Sequence, residues 1–205
     1  MEVADMRNDL PLSALTKLIA ELEEEEASYV VGGSTGLVLR GANLDRPPRD
    51  LDVYVDEDAV RPVHERLRSY ALDGPEDNET EKYHSTLSHY RIEGTMVELV
   101  GHFRVYARQS VYTTEVNGFL YPNCDIIEFD GVKVPVIPLG HELIFNVLRE
   151  RHDRAEAAGK LISQDPDKHM PLLKELIRRN RLSEQIAAET LALAGARMFD
   201  PQEEQ

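Results

Sequence analysis

The chain is short of cysteine, of long apolar runs and of positive charge, and each shortage narrows what it can be. With Cys124 as its one cysteine in 205 residues, it can form no intramolecular disulfide. No stretch reaches the roughly 18 apolar residues that a membrane-spanning helix needs. The opening MEVADMRNDLPLSAL has neither the basic nor the apolar region of a secretion signal, so a cytoplasmic location is expected. Lysine and arginine number 23 against 38 aspartate and glutamate, a formal net charge of −15. Affinity for nucleic acid in general comes from basic groups facing phosphates, so general DNA binding is not expected, nor is a membrane partner. The shortage is uneven: residues 142–181 hold nine basic side chains against seven acidic ones. Such a segment reads as a local anion-binding face or as a solvated helix surface of mixed charge.

The length suits one sizeable domain, or a core domain with a smaller helical appendage. Residues 11–26 read as a helix with Leu12, Leu15, Ile19 and Leu22 on one face, Asn8 or Asp9 as its cap, and fraying at the acidic run Glu23 to Glu26. SYVVGG reads as a strand entering a tight turn, STGLVLRG as a short helix, LDRPPR as a loop, and DLDVYV as the next strand. Residues 58–70 read as helix and 74–82 as a polar loop. TLSHYRI and TMVELV form a hairpin about Glu93-Gly94, and Asp130-Gly131 marks a second hairpin. Further strands are expected at 103–107, 111–116 and 124–129. From Pro138 the period becomes helical: HELIFNVLRERHDRAEAAGKLI, KHMPLLKELIRRN, and SEQIAAETLALAGARMF with Ser183 as cap and Ile186, Thr190, Leu193 and Met198 in register. The expected division is a mixed α/β part over 1–137 and a helical part over 138–205.

Strand alternation turns Asp50, Asp52 and Tyr54 to one side of DLDVYV and Leu51, Val53 and Val55 to the other. The two carboxylates are then about 6 to 7 Å apart along the strand, and each resists ionising unless a cation compensates. Mg²⁺ does so readily, since it takes one or two carboxylates together with substrate phosphates. Alone, a D-x-D reads better as two solvated aspartates at a strand end. The upstream turn favours the metal: Gly32 and Gly33 allow close backbone approach, and Ser34 follows at the start of a helix, where N–H groups receive anions. Glu98 is the one charged residue in the apolar run TMVELV. It either lies on an exposed edge or faces the aspartates; with a hairpin strand available to pair beside the D-x-D strand, the second is expected.

The pattern VVGGSTGLVLRG, DLDVYV, MVELV resembles the polymerase-β-like nucleotidyltransferase superfamily, and most of all its small antibiotic nucleotidyltransferases and abortive-infection toxins. The resemblance spans about residues 28–100. It implies an α+β fold, with a small mixed β-sheet nucleotidyltransferase core flanked by helices and followed by a C-terminal helical region. It also implies a metal-dependent enzyme that moves a nucleoside monophosphate, by default AMP, from a nucleoside triphosphate to an acceptor hydroxyl and releases pyrophosphate. By position, Gly32, Gly33 and Ser34 hold the triphosphate of ATP, Asp50 and Asp52 bind Mg²⁺ (or Mn²⁺), and Glu98 is the third ligand or the base. The acceptor stays open between a small molecule, a protein and an RNA terminus. Two departures from the family stand out: the loop around ANLDRPP is long, and the third acid is glutamate where aspartate is commoner.

Other residues carry weaker signals. Arg46 or Arg49 in the long loop can meet a phosphate or stay solvated. Tyr83, His84 and His89 flank the hairpin, where they can touch a substrate or serve as ordinary surface residues. Lys160 belongs to the basic run at 149–160. The seven histidines show no metal-binding spacing, and Cys124 has no sequence neighbour to activate it. Against the enzyme stand a glycosyltransferase, which also uses D-x-D but needs a larger nucleotide-binding region, and a catalytically silent binding or regulatory module of toxin-antitoxin type.

Overall fold

The computed structural model describes residues 5–23 and 27–195. Strand β2 (Asp50–Val55) follows its alternation. Leu51, Val53 and Val55 are fully buried in one core cluster, together with Leu15, Leu18 and Leu22 of α1 (Leu12–Leu22) and Val63 and Leu67 of α3 (Glu57–Leu67). Tyr54, on the other face, joins a second cluster with Phe103, Leu143, Ile144 and Phe145. Each large apolar side chain so buried is worth roughly 1.5 to 3 kcal/mol, so β2 is anchored from both sides.

Around β2 lie β1 (Val30–Gly32), β3 (Glu76–Glu79), β4 (Tyr83–Ile92), β5 (Thr95–Ala107), β6 (Ser110–Thr113), β7 (Asp125–Phe129) and β8 (Val132–Val136). Among the described residues they form one mixed sheet in the order β3-β4-β5-β2-β1-β8-β7, with β6 paired to β5. β2 runs antiparallel to β1 and parallel to β5. Helix α2 (Gly33–Leu39) fills the link from β1 toward β2, so the GGS turn and the D-x-D lie on neighbouring strands. The expected α+β fold is therefore present. Both hairpins are too: Glu93 and Gly94 take φ of 48° and 79°, and Asp130 and Gly131 take 52° and 80°, the paired positive values of a type I′ turn.

Several local expectations change. The polar stretch 74–82 contains β3, all of whose residues are exposed. It is a charged edge strand with no buried face, so no alternation marks it. Residues 103–107 are no separate strand; they continue β5, which passes a bulge where His102 has φ 49°. Residues 111–116 divide between β6 and a π-helical turn, Val116–Leu120. Asn8 and Asp9 do not cap α1, because a 3₁₀ turn over Met6–Asp9 precedes it and Pro11 takes the cap position. Glu24 to Glu26 and Met198 lie outside the described residues.

The C-terminal helices are α4 (Leu139–Leu148), α5 (His152–Gln164), α6 (Pro166–Arg179) and α7 (Glu184–Leu193). Ser183 caps α7 as expected, accepting a hydrogen bond from the Ile186 N–H at 3.3 Å. The long pattern from His141 to Ile162 is not one helix. It breaks where Glu150 N–H donates to Val147 O and Arg151 N–H to Asn146 O, with Glu150 at φ 58°. These two bonds are a Schellman closure that uses glutamate where glycine is usual. Every residue of α4 is buried, and the break lets α5 turn back along it. α4 lies in the cluster that contains Tyr54, so this helix backs the carboxylate face of β2.

Candidate active site

Parallel pairing of β2 with β5 sets Asp52 directly beside Glu98, one interstrand spacing away, about 4.8 Å between backbones. Asp50, Asp52 and Tyr54 share the other face, and all four residues line one cavity of about 430 Å³. Glu98 thus faces the aspartates and is not on an exposed edge. Burial, reinforced by the charges of Asp50, Glu98 and Glu142, pushes the Asp52 carboxyl up to about 7, while Arg154 pulls it the other way. Glu98 is raised too, by burial first and then by Asp50. On this floor Asp52 and Glu98 are acids whose ionisation is suppressed.

The glycine turn exists to make room for this floor. On the β1 side Gly32 pairs with Asp52, and a Cβ there would stand 2.8 Å from Tyr54 Cε2 and 2.9 Å from Glu142 Oε1. Gly33 has φ 63°, and a Cβ on it would fall 1.9 Å from Asp52 Oδ2. Only glycine satisfies both the left-handed backbone and the contact. Ser34 is buried at the start of α2 and borders a second cavity. Thr35 donates its hydroxyl to Asp50 O at 3.1 Å, which ties α2 to the strand that carries the acids.

A fourth acid was missed by the sequence reading. Glu142 of α4 is fully buried and accepts the Gly33 N–H at 2.6 Å. Burial raises its carboxyl to about 7, opposed by that hydrogen bond and by Arg40, Arg154 and Arg149. Asn146, one turn on, donates to Glu142 O at 2.8 Å and to Oε2 at 3.3 Å. The signal was available: Glu142 stands alone in the apolar run HELIFNVL, as Glu98 does in its own.

Three arginines border the same cavity as the acids. Arg149, Arg151 and Arg154 line the first cavity, and Arg149 lies over the Phe145 ring at 4.5 Å. Arg151 and Arg154 also border the second cavity, with Arg46 and Arg49. So the basic segment does meet the site, through the helix break and not through Lys160, which is exposed on α5. Arg46 lines a cavity together with Arg49. Of the hairpin residues, Tyr83 lines the first cavity. His84 packs near His102 instead, ring centroids 6.0 Å apart. His89 is opposite Glu98 in register, but its ring is held by Asp73 at 2.7 Å.

The carboxylates suit a hard divalent cation in donor type, being oxygens whose crowding disfavours the metal-free charged state. Among the described residues, no group of three or more histidine, cysteine, aspartate or glutamate side chains stands ready-made to hold a metal ion. Among the described residues, no helix is long and apolar enough to cross a membrane.

Comparison with known proteins agrees with this architecture. A solved structure from Thermotoga maritima, assigned as a nucleotidyltransferase, is 24% identical with a TM-score of 0.59, over 75% of this chain and 92% of its own. The solution structure of the antibiotic-resistance factor ANT(2'')-Ia is 12% identical with a TM-score of 0.51, over 86% of this chain and 94% of its own. At such identities the likeness is one of fold. No curated protein sequence matches the chain. The family model described as aminoglycoside-2''-adenylyltransferase matches residues 14–157, more than half of the chain. The glycine turn, the paired aspartates, Glu98 and the helix carrying Glu142 all fall within that span, and the chain belongs to this family of nucleotidyltransferases.

Proposed function

We propose that the protein transfers AMP from ATP to a hydroxyl of a polycationic acceptor of the aminoglycoside class, releasing pyrophosphate. The observation that carries this reading is the Asp52 carboxyl, set in register between Gly32 and Glu98 on a floor where burial and neighbouring acids hold it up to about 7. Asp50 and Asp52 would hold Mg²⁺ or Mn²⁺, with Glu98 as third ligand or base. When bound, the cation neutralises phosphate charge and lowers the barrier to attack at the α-phosphorus.

The chain's own groups do the rest. Gly33 brings backbone close to the floor without a side chain, so the triphosphate can approach beside Ser34. Arg149, Arg151 and Arg154 line the same cavity as the acids and neutralise phosphate oxygens by charge-assisted hydrogen bonds. Glu98, raised by burial, is placed to take the proton of the attacking hydroxyl. Positioning and charge neutralisation suffice for such a transfer, which asks for no covalent intermediate.

Two features support a cationic acceptor. The chain carries −15 overall, which steers polycations inward. Asn78 of β3 lines the first cavity, and its neighbours Glu76, Asp77 and Glu79 are exposed, so an acidic strand flanks the entrance nearest Glu98's cavity.

The test is incubation with ATP labelled at the α-phosphate, Mg²⁺ and a panel of aminoglycosides, with mass spectrometry of the products. The reading predicts label on the acceptor and an equal amount of pyrophosphate. Label transferred to none of them, with no pyrophosphate released, would overturn it.

A further inference from the structure

Along β5 the residues that line the first cavity are Glu98, Val100 and Phe103. The first two keep the alternation of a strand and the third breaks it, since unbroken alternation would turn His102 into the cavity and Phe103 away. The break is a bulge. Thr86 faces Gly101 and His84 faces Arg104, so His102 and Phe103 together stand opposite Ser85 alone. His102 takes the left-handed position of this bulge, with φ 49°, where glycine is usual. A side chain there costs roughly 1 to 2 kcal/mol. Two bonds offset that cost: Nδ1 of the ring donates to Glu57 Oε2 at 2.7 Å, at the start of α3, and Nε2 accepts from the Arg104 guanidinium.

The bulge completes an aromatic pair. Tyr83 stacks on Phe103 with ring centroids 6.0 Å apart and planes at 24°, and Phe145 meets Phe103 edge-on at 5.3 Å. The chain has only five phenylalanines, eight tyrosines and no tryptophan, yet Tyr54, Tyr83, Phe103 and Phe145 all line this one cavity. Aromatic faces attract cations, most strongly where water is excluded. The cavity already contains one such contact, Arg149 over Phe145. Tyr83 is only half-buried, which leaves its ring within reach of a ligand.

Strand order indicates which ligand meets the pair. The glycine turn follows β1, the aspartates are on β2, Glu98 and Phe103 on β5, and Tyr83 on β4, in that order across the sheet. Seen from the glycine turn, the pair therefore begins at Glu98's own strand and extends beyond it. A hydroxyl that gives its proton to Glu98 belongs on that side. We infer that Tyr83 and Phe103 are specificity-determining residues for the acceptor. They receive one of its amino-sugar rings, with an ammonium group held against the aromatic faces, and the bulge at His102 is what turns Phe103 toward it. The inference rests on the nucleotidyl-transfer reading above.

The test is steady-state transfer from ATP, in Mg²⁺, to whichever aminoglycoside of the panel above takes label fastest. Wild type is compared with Tyr83→Phe, Tyr83→Leu, Phe103→Leu, His102→Gly and His102→Val, with thermal unfolding as a control for folding. Leucine keeps apolar bulk but has no ring face. Valine resists the left-handed backbone, whereas glycine accepts it. Expected is an acceptor KM raised about tenfold in both leucine variants and in His102→Val, the size of a desolvated cation–π contact. The KM for ATP should stay within a few-fold of wild type, and Tyr83→Phe and His102→Gly should keep wild-type values for both substrates. Leucine variants with an unchanged acceptor KM would overturn the inference. So would a KM for ATP that rises as far as that of the acceptor, because the pair would then serve the nucleobase. A His102→Val variant equal to wild type, or a His102→Gly variant as impaired as His102→Val, would overturn the part assigned to the bulge. All of these outcomes leave nucleotidyl transfer standing, since wild type turns over in each; wild type that labels no aminoglycoside and releases no pyrophosphate defeats both.

Discussion

Asp52 and Glu142 are acids kept from ionising by the interior around them, and both are held up to about 7 in the folded chain. Their ordinary values are 3.8 and 4.5, so between those values and about 7 the unfolded chain binds fewer protons than the folded one. Stability from these two groups is greatest below their ordinary values, falls as pH rises through that window, and levels off above about 7. The prediction is that urea unfolding without divalent ions shows this downward slope, and that Asp52→Asn combined with Glu142→Gln flattens it relative to wild type. An unchanged slope in the double variant would contradict the assignment. Gly33→Ala is predicted to abolish nucleotidyl transfer and to cost about 1 kcal/mol or more of stability, because its methyl would collide with Asp52 and its backbone is left-handed. Activity assay and thermal unfolding of that variant check both parts. At this scale the sequence was legible where alternation applied: Asp50 and Asp52 face the cavity and Leu51, Val53 and Val55 the core. Glu98 was found as a lone charge in an apolar strand, and the same rule applied to HELIFNVL would have found Glu142.

The elements place these residues through two short contacts that sequence patterns do not reveal. One is the bond from Gly33 N–H to Glu142, which joins the β1–α2 turn to α4 across 109 positions of sequence. Glu142→Leu leaves that buried donor unpaired, so it is predicted to lose about 1 to 3 kcal/mol of stability and to weaken ATP binding. Glu142→Gln keeps an acceptor and should retain most of both, as denaturant unfolding and ATP titration would show. The other is the Schellman closure between α4 and α5. Without glycine at the left-handed position, the periodicity of residues 141–162 reads as one helix, and the arginines it redirects into the site read as surface. Glu150→Gly is predicted to raise stability by up to about 1 kcal/mol with no loss of activity; a destabilised variant would mean that Glu150's side chain contributes more than its backbone strain costs. β3 was missed for a related reason, since an exposed charged edge strand has no buried face to leave an alternating trace.

Over the whole molecule, charge is sorted more sharply than the total of −15 suggests. Acids form the floor on β2 and β5 and the exposed strand β3, while arginines of the α4–α5 break line the cavity above that floor and those of the α2–β2 loop border the second cavity. The mixed α/β part, the order of motifs and the change to helix after Pro138 were readable from local pattern, and the α+β class followed from the family resemblance. The pairing of β2 with a hairpin strand was anticipated; its register with β5, and the packing of α4 behind the glycine turn, depend on contacts distant in sequence and were not. The account's central claim is that these parts bind a metal nucleotide through Asp52, and calorimetric titration with ATP, with and without Mg²⁺, of wild type and Asp52→Asn tests it most directly. It predicts Mg²⁺-dependent binding by wild type, weakened at least about tenfold in the variant. A folded wild-type protein that binds no ATP in the presence of Mg²⁺, or a variant that binds it as tightly as wild type, would contradict the account.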